Sequence, residues 1–386
     1  MSQPSQTARR IHVVFIGAIT ALFSALSIVG ITWGLPSRKI DKYLFGDGEV
    51  WSGEKIYRLA KADGKFSPTR GADVDVDPIR KGGDEPIPLT ATEEDVAKIY
   101  LRYRLYTYQP DEMITMMALA GMRPGKLDFD PRLYQYGGLF IYPVGALIKL
   151  CGLLGLIDVR SDVVFYLDNP DEFGKFYIVA RAYSAVWGLI GVIVVYAVAK
   201  RIALIRTPSA SAGSTSPVAS SAESGPFPHG RGSDRPVATA LGSDRSHRAG
   251  LIAALLFTLM PVVVCMAHEG KPHLPGAVLM LLAVYFAMRS MQLATAKIED
   301  QRSKIEYKKT EAGFGNRQST LVLSLEGIDN RQFFWWMCVC CGAALGMVLS
   351  SWPVFVLIPL VAFRAAGRNE IRRRRSPRDP SVPWEA

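Results

Sequence analysis

The feature that most limits what this chain can fold into is the stretch 11–35, which runs for 25 residues without a formal charge. At about 1.5 Å of rise per helical residue, it can cross a hydrocarbon layer of about 30 Å with some tilt. Arg9 and Arg10 precede it, as basic residues precede a secretory signal. The run nevertheless exceeds an h-region of roughly 7 to 15 residues, and no small-x-small cleavage site follows, so an uncleaved anchor is expected. Further apolar runs cover 178–199, 251–267, 274–288, 333–349 and 353–363, and an ambiguous one covers 137–157. With 49% hydrophobic and 21% charged residues and a mean hydropathy of +0.14, the expected class is an all-α integral membrane protein.

The net charge of +10 lies in the connecting segments, where it reports topology rather than nucleic-acid binding. The segment 36–177 holds 19 basic and 22 acidic residues, whereas 200–250 holds seven basic and three acidic, and 289–331 eight and six. Six spans satisfy the positive-inside rule if 137–157 lies on the outer leaflet and does not cross, as Pro143 and Lys149 within it favour. Both termini and the basic tail 367–386 are then cytoplasmic, and 36–177 forms one long extracytoplasmic loop. A single tilted span over 333–363 is the alternative at the C-terminal end. The insert 207–248, rich in Ser, Ala, Gly and Pro, is expected to be disordered. Asp73, Asp75 and Asp77 read as a solvated acidic turn, since a calcium loop needs a longer ligand series. Cys338, Cys340 and Cys341 lack zinc spacing and, with Cys151 and Cys265, read as packing residues.

Chemistry-bearing residues gather in the outer loop and one short turn. Gln109-Pro110-Asp111-Glu112 heads an expected helix, with Pro110 suited to its first position, acidic groups at its positive end and Gly121 as the cap. Met113, Met116, Met117 and Ala120 share one apolar face of it. Asp111 and Glu112 are either the acidic first turn of a surface helix or carboxylates placed to accept a proton from a sugar or lipid hydroxyl. The turn from His268 to His273 carries two imidazoles, Lys271 and Glu269, which could serve as phosphate donors, as metal ligands or as a polar hairpin with no ligand. Arg181 opens a span from the outer side, where snorkelling to the interface is the default for such an arginine. Asp41 and Asp47 are alternative carboxylates with solvated readings.

The sequence Trp33-Gly34-Leu35-Pro36, the Gln-Pro-Asp-Glu signature, Asp128-Phe129-Asp130-Pro131, Tyr134-Gln135-Tyr136-Gly137-Gly138 and Tyr142-Pro143 together resemble the first extracytoplasmic loop of the GT-C glycosyltransferases. More narrowly they resemble the dolichyl-phosphate-mannose-protein mannosyltransferase-like bacterial membrane enzymes, and Arg181-Ala182-Tyr183-Ser184-Ala185 is similar to that family's Arg-x-x-Ser-Ala. Gln109 stands where the family commonly has histidine, and His273 where it often has an acid. The resemblance implies a GT-C-like helix bundle with amphipathic juxtamembrane helices in a bacterial inner membrane. It implies an inverting transfer of a sugar from a polyprenyl-phosphate donor to a lipid, glycan or protein acceptor. Catalytic roles fall to Asp111 and Glu112, donor-phosphate binding to Arg181, Lys271, His268 and His273, and substrate contacts to Asp130, Tyr134, Gln135 and Tyr136. A divalent cation is the one candidate cofactor, with its ligands unassigned. A transporter or lipid-handling protein, or a truncated inactive relative with an assembly role, are the other readings.

Overall fold

The computed structural model describes residues 6–46, 50–62, 92–134, 136–206, 235–311 and 330–363. Among these there are no strands, only helices and two isolated bridges. Helices α1 (Gln6–Val29), α8 (Pro170–Arg206), α9 (Arg235–Leu259) with α10 (Pro261–Ala267), α11 (His273–Glu311) and α12 (Asn330–Met347) form an up-and-down bundle. The contacts fix the directions. At one end His12 stacks on His247, whose Nδ1 shares a hydrogen bond with the Tyr196 hydroxyl. At the other, His268 donates to the Leu26 carbonyl, and Gly188 faces Leu274. Along α1 and along α9 with α10 the numbers rise in the same direction, from His12 and His247 to Leu26 and His268, whereas α8 runs against them, with Tyr196 at the first end and Gly188 nearer the second.

Three of these helices are long and apolar enough to cross a membrane: Arg10–Val29, Pro170–Leu204 and His273–Thr295. A fourth counts if Asp244–Leu259 and Pro261–Ala267, bent by 62°, are one span. Of the six expected spans, three or four thus lie on helices of sufficient length among the described residues. The run 251–267 breaks because Pro261 has no N–H and its ring clashes with a preceding turn. At 333–363 the chain doubles back: α12 ends at Met347, and Cys341 donates to the Val354 carbonyl, which returns alongside it. Each limb is shorter than a full span, and Pro353 lies in the reversal.

The helix α6 (Gly138–Leu153) does not pass to the far end of the bundle. It begins beside Tyr183, whose hydroxyl donates to the Leu139 carbonyl, and leads through α7 (Val163–Asp168) into the first turns of α8. Phe140, Ile141, Val144 and Ile148 bury one side of it, while Leu139, Tyr142, Leu150 and Leu153 are exposed on the other. At Gly137 any side chain would strike the Gly346 carbonyl, so glycine is what lets α6 start against α12.

Outside the bundle, α2 (Lys39–Phe45), α3 (Gly53–Ala62), α4 (Glu93–Leu105) and α7 make a small helical layer. It is tied together by Arg104, 1% exposed, which donates to both Asp41 oxygens at 3.4 and 2.8 Å. Its remaining nitrogen reaches the Trp51 and Leu167 carbonyls. The solvated reading of Asp41 is therefore corrected, because its carboxylate is buried and paired. The expected disorder of 207–248 is also corrected at 235–248, which belong to α9, where Arg, Ala and Leu continue the helix seeded by the apolar 249–259. The rest of that insert, the acidic turn 73–77, Asp47 and the basic tail lie outside the described residues.

Candidate functional site

The motif at 109–112 enters its helix through a tight turn. Tyr108 N–H donates to the Gly34 carbonyl in the segment that follows α1, and Glu112 and Met113 donate back to Gln109 and Pro110. The fixed φ of Pro110 preorganises this turn. Helix α5 (Glu112–Gly121) follows, with Asp111 as a helical N-cap whose side chain makes no capping bond. The helix is not the surface helix of the bland reading: Glu112, Met113, Thr115, Met116, Met117 and Ala118 are all buried, and only Ala120 of the expected face is exposed.

Glu112, fully buried, is held by a fork from Arg181: Nε to Oε1 at 2.9 Å and Nη2 to Oε2 at 2.7 Å. Oε1 also accepts the Gly270 N–H. The Nη1 of Arg181 donates to the carbonyls of Ile31 and Trp33 at 2.8 and 2.7 Å. One buried ion pair thereby joins four segments: the end of α1, α5, α8 and the 268–272 turn. Such a pair survives desolvation only when further hydrogen bonds support both partners, as the Gly270 N–H does for Glu112 and the Ile31 and Trp33 carbonyls do for Arg181. Gly270 is required by the close approach, since a Cβ there would lie 2.7 Å from that of Ala180. Two expectations change in consequence. Arg181 does not snorkel: four of its five N–H groups are spent on Glu112, Ile31 and Trp33 and its side chain is buried, so it faces the protein and not the open side where a donor phosphate would arrive, and Glu112 is a structural anchor with no lone pair turned to solvent.

The exposed group is its neighbour. The Asp111 side chain is 59% exposed and lies 3.3 Å from Lys271 Nζ, which is 3.1 Å from Glu269. Lys271 and Glu269 are themselves nearly buried, and Ser184 donates to the Lys271 carbonyl, so the ammonium is presented from a fixed backbone. Tyr136 closes one side, its hydroxyl donating to the Asp111 carbonyl at 3.3 Å. Burial, and then the negative charges of Asp111, Glu269 and Glu112, push its phenol well above the ordinary tyrosine range, so it remains a donor. His273, exposed at the start of α11, meets the Tyr136 ring edge-on at 6.0 Å. Beneath them, Tyr136 bridges to Val348.

Of the expected site residues, then, Asp111, Glu112, Arg181, Lys271, Tyr136 and His273 come together. His268 turns away into α1 and is corrected to a packing role. Asp130 and Tyr134 form a separate exposed turn, the tyrosine hydroxyl donating to the carboxylate at 2.8 Å, and Gln135 lies outside the described residues. Among the described residues no three His, Cys, Asp or Glu side chains converge as metal ligands, so His268, Glu269 and His273 do not make a metal site. Two parts of the site had no local sequence signal: the Gly270 contact with Glu112, and the seating of Tyr136 against 347–348. No protein-family model, curated protein or solved structure matches the chain.

Proposed function

We propose that this chain is a multi-pass membrane glycosyltransferase of GT-C type, moving a sugar from a polyprenyl-phosphate carrier to an extracytoplasmic acceptor with inversion. The carrying observation is Asp111: a solvent-facing carboxylate, fixed to the rim of a buried ion-pair knot, facing one nearly buried ammonium at the end of an apolar bundle. In this reading Asp111 takes the proton of the acceptor hydroxyl as that oxygen attacks the anomeric carbon, and the carbon–phosphate oxygen bond breaks on the opposite face. The departing lipid phosphate is met by Lys271 and by His273 at the positive end of α11. Asp111 and Glu269 oppose that charge, so Lys271 must exchange at least one carboxylate partner for the phosphate. The described residues offer no convergent ligand set for a cation. The Arg181 end is extracytoplasmic, both termini are cytoplasmic, and the membrane is a bacterial inner membrane.

A transporter or lipid-handling role draws on a different observation, the 62° break between α9 and α10, since broken helices line transport sites. The two readings separate in membranes carrying the full chain and a radiolabelled polyprenyl-phosphate sugar. Labelled acceptor that disappears in Asp111→Asn, with membrane insertion unchanged, supports transfer. No labelled product from the unaltered chain, or product that survives Asp111→Asn, defeats it and leaves transport or assembly.

A further inference from the structure

The end of the bundle opposite Arg181 carries a feature that sugar transfer does not use. Helices α1 and α9 frame an open groove there of about 550 Å³. Phe15, Ala18 and Leu22 line it from α1, and Leu251, Ile252 and Leu255 from α9, spacings that place each set on one helical face. Phe15 and Ile252 are more than half exposed. The groove extends over two turns of each helix, roughly 10 Å, and Ala18 is its smallest wall residue. Its one charged lining residue is Arg248, whose side chain is 72% exposed and reaches Asp244 at 2.7 Å. An exposed pair of this kind is worth little and is readily exchanged for another anion. Asp244 has a second partner in His12 at 3.4 Å, and Arg10 and Arg245 are exposed nearby in the chain.

An apolar trough with an exposed guanidinium at one end, held only by a surface ion pair, has the polarity of a single phospholipid. Guanidinium binds phosphate through two parallel N–H bonds, and basic pockets between helices on the cytoplasmic side of a membrane take anionic headgroups. We propose that the α1–α9 groove binds one anionic phospholipid, its phosphate on Arg248 and the upper part of an acyl chain between Ala18 and Leu255. The basis is charge complementarity. Bulk lipid would wet any apolar face, whereas this site discriminates by headgroup. The proposal needs the bundle to sit in a bilayer and is independent of glycosyl transfer.

Native mass spectrometry of the full chain in detergent, titrated with phosphatidylglycerol and phosphatidylcholine of identical acyl chains, tests it. The unaltered protein is expected to hold one phosphatidylglycerol about tenfold more tightly than phosphatidylcholine. Arg248→Ala should abolish that preference, Arg248→Lys should keep part of it, and Ala18→Phe, which fills the trough, should weaken both lipids. Glycerol phosphate without acyl chains should not compete. Equal affinity for the two lipids, a preference that survives Arg248→Ala, or tight binding that survives Ala18→Phe would each overturn the proposal. Circular dichroism and a monodisperse elution profile establish that each variant is folded.

Discussion

Two arginines are built into this chain on the same plan, one in the small helical layer and one at the end of the bundle. Arg104 and Arg181 each grip a buried carboxylate with two nitrogens and spend the third on two carbonyls far away in the chain, Trp51 and Leu167 for the first and Ile31 and Trp33 for the second. Asp41 and Glu112 are sealed in equivalent ways. The difference lies beside them. Glu112 follows directly on an exposed carboxylate and holds the backbone of a turn bearing Lys271, whereas no exposed carboxylate borders Asp41 among the described residues of its own helix. A buried fork is thus architecture wherever it occurs, and chemistry falls to the adjacent group whose lone pairs remain open.

The largest effects come from cutting either fork. Arg104→Ala and Arg181→Ala each leave a buried carboxylate without its partner and should cost about 3–5 kcal/mol, read as lost resistance to denaturant in detergent. Removing both members together, as in Arg104→Met with Asp41→Leu, should cost much less, because no lone charge is stranded. A cysteine probe at 272 would separate the two knots: Arg181→Ala should expose it to thiol reagent and Arg104→Ala should not. Equal labelling in both variants would show that the 268–272 turn does not depend on the Glu112 fork.

Asp111→Asn is the complementary test. Its carboxylate is too exposed to matter for stability, about 1 kcal/mol at most, yet a general base contributes about 10²- to 10⁴-fold to rate. Loss of transfer at full stability is expected. If Asp111→Asn destabilises the protein as Arg181→Ala does, the division between anchor and open carboxylate fails.

What the sequence disclosed follows from how far each interaction reaches. Runs such as 11–35, 178–199 and 274–288 announce themselves because hydrophobicity is local, and each falls on a helix long enough to cross a membrane, the first as far as Val29. Pro261 lay in plain view within 251–267, but a break in a helix depends on what the neighbouring helices tolerate. The common location of Asp111, Arg181 and Lys271 was legible from charge counts and motif order. Their roles were not. Arg181 meets Glu112 across 69 positions, and Arg104 meets Asp41 across 63. No periodicity records pairings at such distances, so a buried anchor and a phosphate-binding arginine look alike in the sequence.

Gly270→Ala probes the same knot more gently. The added methyl is opposed by Ala180 at 2.7 Å and approaches Glu112 Oε1, so the turn must shift, at a cost of about 1–3 kcal/mol. Pairing the change with Ala180→Gly should recover part of the loss. Additive destabilisation in the double variant would place the strain elsewhere.

The smallest effect lies at the exposed turn that the sequence grouped with the site. Asp130 accepts the Arg132 N–H at 2.9 Å and the Tyr134 hydroxyl, and it helps to hold Arg132 at φ 55. The Arg132 N–H first, and then the Tyr134 hydroxyl, keep the Asp130 carboxyl below the ordinary aspartate range, while the same bond raises the Tyr134 phenol. A depressed acid stabilises the turn above its ordinary pKa and loses that contribution as pH falls through the lowered value. A raised phenol does the reverse at the alkaline side, so the turn is tightest between the two. In carboxyl-carbon NMR, Tyr134→Phe should move the Asp130 midpoint partway toward the ordinary range, with the Arg132 bond holding the remainder. An unchanged midpoint would remove the tyrosine from the account, and none of these changes should alter resistance to denaturant, because both side chains stand in solvent, unlike the carboxylates of the two forks.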